Sequence, residues 1–374
     1  MMIKDFLIIS KLKDEITPDI RSYAFTESPE AYRSFINGDN AYYHELDNPS
    51  AVKWYSQAIA IDSTFTYAII KLSFAYFNQR LFEQAKYWCL KVYKKRVQMS
   101  HQQKIYTDYA YAYLFETPFE AIKYLRQLLK IDDQLPFIYY ALGHNYNRVH
   151  QYNKSIQEYN KALEIYKNWE SKPIWVANYT GLGIAYHETG EYKKEEILYD
   201  KAVRDFPDAP DLIRRQAILA LSEGKTKAAN EYLEKYISIR KGSMASEVDI
   251  TTGLADIFSE ADIPNKAEVY HRKALSLEPE NPGRINNLAY FLIDKDRNIN
   301  EGLALTDSLI KTSADNFNYL HTKGWGLYKL GNYKEAFDIL QQSWDLRMKN
   351  AVYDHEAFLH FEAAKKAVAN HKNN

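Results

Sequence analysis

The chain has 374 residues, enough for two or three ordinary domains or for one long repeat array. Hydrophobic residues make up 46%, which argues against wholesale disorder, and 48 basic against 49 acidic residues leave a formal net charge of −1, so no general charge excess draws the chain to nucleic acid or anionic membrane. The single cysteine, Cys89, excludes an internal disulfide and a multi-thiolate zinc site.

In chain order, residues 2–16 predict a short amphipathic helix with Phe6, Ile9 and Leu12 on one side. Its unbroken apolar run, residues 6–9, is too short for the core of a signal peptide. Thr17-Pro18 ends it, because the residue before proline is pushed out of the helical region. Ser28-Pro29-Glu30 then reads as a cap and first turn. From Tyr32 a period emerges. Phe35, Tyr42, Ala51, Tyr55 and Ala58 are followed at constant spacing by Ile69, Tyr76, Ala85, Cys89 and Val92. Cys89 thus occupies a packing slot and is expected to be buried rather than reactive. A looser connection, residues 94–100, leads to a third unit marked by Tyr106, Tyr109, Tyr113, Ala121, Leu125 and Leu128, one residue short at Thr117-Pro118.

The clearest stretch is residues 139–167. One amphipathic run carries Tyr139, Leu142, Gly143 and Tyr146; a polar turn comes next; a second run carries Tyr152, Ser155, Tyr159, Ala162, Leu163 and Ile165. Six extra residues, 170–175, lengthen the connection or the next helix. The fifth unit has Leu182, Gly183, Tyr186, Gly190, Tyr192, Tyr199 and Ala202, with Glu195 where a small residue is usual. The sixth has Ala217, Gly224, Ala229, Leu233 and Tyr236, and the seventh Leu254, Ala255, Phe258, Ala267, His271 and Ala274. The eighth, with Leu288, Ala289, Leu292 and Gly302, is one residue long in its turn. The ninth has Leu320, Gly324, Gly331, Tyr333, Ala336 and Leu340. Residues 352–369 read as one more helix, with Phe358 and Phe361 on one side.

This pattern resembles the tetratricopeptide repeat, a helix-turn-helix unit of about 34 residues. The resemblance implies an all-α fold: a right-handed superhelical solenoid of about nine hairpins closed by a C-terminal capping helix. On that scheme residues 1–31 are an N-terminal helix and linker, 32–240 hold repeats one to six, 241–348 hold repeats seven to nine, and 349–374 are the capping helix and tail. The stretch 17–43 also resembles the junction at which such arrays follow a sensor, kinase or winged-helix part in bacterial multi-domain regulators, which would make this chain the C-terminal portion of a larger regulator.

Motifs that would carry chemistry fail on spacing. Gly181-Leu182-Gly183 and Gly324-Trp325-Gly326 lack the third glycine and the strand of a dinucleotide loop; Tyr186 and Lys329 stand there instead. His355 and His360 are five apart, about 140° around a helix, so no shared metal is predicted; His144 and His150, six apart across a helix end, fail likewise. Serines and histidines form no recognisable elbow, Glu195-Glu196 point different ways from mid-helix, and the basic pairs such as Lys193-Lys194 are scattered. The expectation is no catalytic residues, no cofactor and no metal, with an enzyme cleft between repeats as the remote alternative.

What remains is a surface. The resemblance implies that the first helix of each hairpin lines a concave groove that takes a peptide or partner segment. The lining positions are then Tyr67, Ile70, Phe74 and Phe77, Tyr111 in the third repeat, Phe137, Tyr140, His144 and Asn147, and, in the ninth, Trp325 and Tyr328 beside His321. Repeats six and seven offer a polar lining, including Asp211, Arg214, Asp249 and Asp256. The Lys and Asn clamp by which related domains hold a chaperone's C-terminal carboxylate is not reproduced; its positions hold Ile36 and Asn40, Ile70 and Phe74, Tyr140 and His144, Asn286 and Tyr290. The sequence therefore predicts a non-catalytic protein-binding scaffold, cytoplasmic, with no membrane insertion and no nucleic-acid partner.

Overall fold

The computed structural model describes residues 26–45 and 47–371, so the helix expected over 2–16 lies outside the described residues. Nineteen α-helices and no strands occur among them. In chain order they are α1 (Pro29–Asp39), α2 (Asn48–Ile61), α3 (Thr66–Asn78), α4 (Phe82–Tyr93), α5 (His101–Phe115), α6 (Pro118–Leu129), α7 (Pro136–Arg148), α8 (Tyr152–Asn168) and α9 (Ala177–Glu188). They continue with α10 (Tyr192–Asp205), α11 (Pro210–Ser222), α12 (Thr226–Gly242), α13 (Glu247–Glu260), α14 (Pro264–Leu277), α15 (Pro282–Asp294), α16 (Ile299–Thr312), α17 (Phe317–Lys329), α18 (Tyr333–Lys349) and α19 (His355–His371). Contacts divide the chain into two compact units, residues 1–189 and 190–374. In the first unit α1–α2, α3–α4, α5–α6 and α7–α8 pair as hairpins; in the second α11–α12, α13–α14, α15–α16 and α17–α18 do, and α19 packs on α18. The fifth predicted repeat contributes α9 to the first unit and α10 to the second.

The turn chemistry explains why the hairpins bend where they do. After α7 the chain passes through Val149 to His150, whose φ is 54°; the His150 N–H donates to Asn147 O (3.0 Å) and the Gln151 N–H to Tyr146 O (2.9 Å). This paired arrangement satisfies carbonyls that the last helical turn leaves open. The same pair follows α3 at Arg80 and Leu81, and α11 and α17 at glycines, Gly224 and Gly331, where positive φ carries no Cβ penalty. The short third turn has no left-handed residue: Thr117 caps α6 by accepting the Glu120 N–H, and Pro118 takes the first position. The long eighth turn adds Asp296 (φ 50°) before the Asn298 cap. An unpredicted π-helical turn, Asn40–Glu45, joins α1 to α2.

Hairpins close through the small residues. Ala85, Ala121, Ala229, Ala267 and Ala336 are fully buried. Ser155 is buried too and donates from Oγ to Gly143 O at 2.8 Å. Gly143 has no room for more: a Cβ there would stand 2.7 Å from the Tyr159 ring. Cys89 is fully buried, and desolvation pushes its thiol up to about 12, so it is a packing residue as expected. No helix among the described residues is long and apolar enough to cross a membrane.

Candidate functional site

The first helices of unit 1 bring most of the predicted lining together. Tyr67 is buried and stacks on Tyr106 (centroids 4.3 Å, 6°). Ile70 is fully buried, and Phe74, also buried, meets the Tyr113 ring at 5.5 Å. Beyond them runs an unbroken row of half-buried rings: Phe77 to Tyr113 (5.5 Å), Tyr113 to His144 (6.2 Å), His144 to Tyr140 (6.2 Å), and Tyr140 to Trp175 (5.3 Å). The Tyr113 hydroxyl lies 3.4 Å from His144 Nε2. Asn147 donates from Nδ2 to Gly181 O (2.8 Å), while its buried Oδ1 has no hydrogen-bond partner. Phe137 sits 6.5 Å from the Tyr106 ring. Tyr111 stands apart from this row, stacked on Tyr93 (4.0 Å) and Phe115 (4.8 Å). Desolvation, with help from Arg148, holds the His144 imidazole down to about 4, so it is neutral at physiological pH.

Sequence reasoning missed what lies beside that row. Lys71 is buried at 5% exposure, its Nζ 4.4 Å from the Tyr43 ring centroid, 4.9 Å from Phe137 and 5.8 Å from Tyr42, and it hydrogen-bonds the Tyr43 hydroxyl. Buried Asp39 accepts from the Tyr55 hydroxyl at 2.5 Å; burial raises its pKa, and the Lys71 charge and the Tyr55 bond oppose that rise. A lone lysine in the apolar run of α3 was the available signal. The six extra residues had a destination the sequence did not reveal: Trp175 reaches Tyr42 (6.2 Å) and Tyr43 (6.0 Å) as well as Tyr140.

In unit 2 the predicted pair lies under the capping helix. Trp325 stacks face to face on His360 of α19 (3.6 Å, 5°), and Tyr328 stacks on Trp325 (4.9 Å). His321 is buried, with Nε2 3.0 Å from His360 Nδ1. Desolvation is the main cause that lowers both rings, His321 to about 3 and His360 to about 4. His355 turns instead to the Tyr353 hydroxyl (2.7 Å), so His355 and His360 serve different partners. One set of metal-ligating types comes together here: Asp294, Glu356 and His360.

Of the polar residues expected in repeats six and seven, Arg214 pairs with Glu260, which Arg215 also holds, and Asp249 lies 3.8 Å from Arg284. A serine–histidine pair also forms, Ser259 Oγ at 3.3 Å from His271 Nε2. The serine donates to Ala255 O (2.8 Å), so it accepts from the ring, and that imidazole is not placed to take the hydroxyl proton.

Residues 134–208 match the tetratricopeptide repeat family model. Among solved structures, the chain is similar to a tetratricopeptide repeat protein from Parabacteroides merdae ATCC 43184, at 17% identity over 69% of this chain and 97% of that one, with a TM-score of 0.42. It is similar to PilW, a widely conserved type IV pilus biogenesis factor, at 17% identity over 58% and 94%, with a TM-score of 0.43. It is also similar to the tetratricopeptide domain of P58(IPK), at 11% identity over 99% and 94%, with a TM-score of 0.29. No curated protein matches the chain.

Proposed function

We propose that this chain, a tetratricopeptide-repeat protein, is a non-catalytic scaffold that takes a segment of a partner protein on the inner face of unit 1. The observation that carries this reading is the row of half-buried rings from Phe77 through Tyr113 and His144 to Tyr140, where Trp175 covers the far end. Aromatic side chains offer large contact area at small entropic cost, and they dominate the energetics of interfaces. Specificity on this reading resides in the ring order.

The test is a capture of the partner on the full chain, followed by affinity measurement with the purified partner. Phe77→Ala combined with Tyr140→Ala should weaken binding at least ~10-fold. Val269→Ser, at a 64% exposed position in unit 2, serves as control and should bind as the parent does. Parental affinity in the double variant, with its circular dichroism unchanged, would sink the reading.

A further inference from the structure

The geometry points to a divalent-cation site formed by Asp294, Glu356 and His360 in unit 2, chemically suited to zinc or another first-row transition metal. Each residue offers one ligand atom, and the three atoms lie within 4.8 Å of one another. Metal–nitrogen and metal–oxygen bonds are about 2.0–2.2 Å, so donors on opposite sides of one ion stand ~4 Å apart. Small side-chain adjustments therefore bring all three onto one ion. Glu356 and His360 are four apart on α19 and share a helix face, while Asp294 is the last residue of α15. The site thus draws on two helices well separated in sequence. Two carboxylates and a neutral imidazole balance the charge of a divalent ion, and the imidazole favours a transition metal over calcium or magnesium.

The surroundings already do what a ligand shell requires. Metal-bound histidine normally donates its second ring N–H to a neighbouring acceptor, which fixes the ring and its tautomer. Here His360 Nδ1 lies 3.0 Å from His321 Nε2, and the Trp325 indole lies flat against the His360 ring. When Nδ1–H donates to His321, Nε2 keeps its lone pair for the ion. The Trp325 Nε1–H donates to Asp294 Oδ1 at 3.3 Å and orients that carboxylate, leaving Oδ2, which the Lys295 ammonium approaches only to 3.8 Å. Trp325 therefore aligns two of the three ligands at once. Bound there, the ion ties the capping helix to the eighth hairpin, and binding is coupled to the stability of that end of the chain.

The experiment uses the full chain without a polyhistidine tag, stripped with chelator and titrated with zinc sulfate by calorimetry. Thermal unfolding is recorded with and without zinc. The expected result is saturation near one equivalent and a rise in Tm with zinc. Glu356→Gln, at an exposed position, and Asp294→Asn should each weaken zinc binding at least ~10-fold and remove the Tm rise. Absence of saturable binding overturns the site. So does a loss smaller than ~10-fold in both variants, since zinc is then held by other surface histidines.

Discussion

The two units are built on one hairpin period but differ in emphasis: rings dominate in unit 1, whereas unit 2 adds ion networks to the ring stack between α17 and α19. Unit 1 uses rings: Tyr67 on Tyr106, Tyr111 on Tyr93, Tyr140 on Trp175. Its main charged feature, Lys71 beside Asp39, is buried among tyrosines. Unit 2 laces helix surfaces with ions. Arg272 bridges Glu268 (3.0 Å) and Glu301 (2.7 Å), Arg297 also reaches Glu268 (3.0 Å), and Arg215 meets Glu260 at 2.6 Å. The period dictates only where small residues sit between paired helices. It leaves open what covers the remaining faces, so the same hairpin carries an aromatic row in unit 1 and ion networks in unit 2.

The largest expected effect tests the buried charge of unit 1. Asp39→Ala leaves Lys71 as a desolvated cation and should cost about 3–5 kcal/mol, read as faster hydrogen exchange across α1–α3. Asp39→Asn should cost less, since burial already favours the uncharged carboxyl. Equal effects of the two would mean that the lost charge, which they share, carries the whole cost and the acceptor for the Tyr55 hydroxyl none of it.

Next comes the helix-pair slot. Gly143→Ala meets the Tyr159 ring at 2.7 Å and Gly324→Ala meets Leu340 Cγ at 2.6 Å with the Leu340 backbone N at 3.3 Å, so each should lose about 2 kcal/mol. The urea midpoint of each variant is the measurement, and a parental midpoint in either means that the paired helix gives way at that slot.

Acid gives a third probe. His271 in unit 2 is held at about 4 by burial, below its ordinary value near 6.5. The unfolded chain therefore binds more protons between those values, and stability falls as pH drops from about 6.5 to 4, by on the order of 2 kcal/mol. His271→Gln should flatten that slope in a pH series of unfolding curves. Below it, Glu260, Glu268 and Glu301 have lowered pKa values, so their contribution, present above the usual carboxylate range, is lost as they take up protons.

The smallest effect is a single ion-pair hub. Glu260→Gln should cost at most about 1 kcal/mol, and roughly half a molar salt should shrink even that, while the Gly143→Ala penalty stays constant.

The repeat period, the hairpins and the capping helix were legible because each rests on local signals: small residues at fixed spacing, Pro118 and Pro210 at first helical positions, glycine at turns. The rings that α3 and α7 give to the row, Phe77, Tyr140 and His144, fall at positions named from the same spacing. In α5 the ring in the row is Tyr113, two residues beyond Tyr111; an irregular connection with a 3₁₀ turn, Arg96–Gln98, precedes that helix and interrupts the period. Long-range meetings left no such trace. Nothing in the spacing of His321 and His360, or of Tyr42 and Trp175, says that they touch.

Trp175 has one more consequence. On the proposed reading it behaves as a tethered competitor for the face that a partner would use. It is already seated against Tyr42, Tyr43 and Tyr140, and its effective concentration is set by the short connection that carries it. An incoming segment that needs the Tyr140 end of the row must displace an indole that never diffuses away, whereas one confined to the Phe77 end meets no rival. The insertion after α8 thus acts as a threshold, favouring partners whose aromatic contact exceeds that of the chain's own side chain.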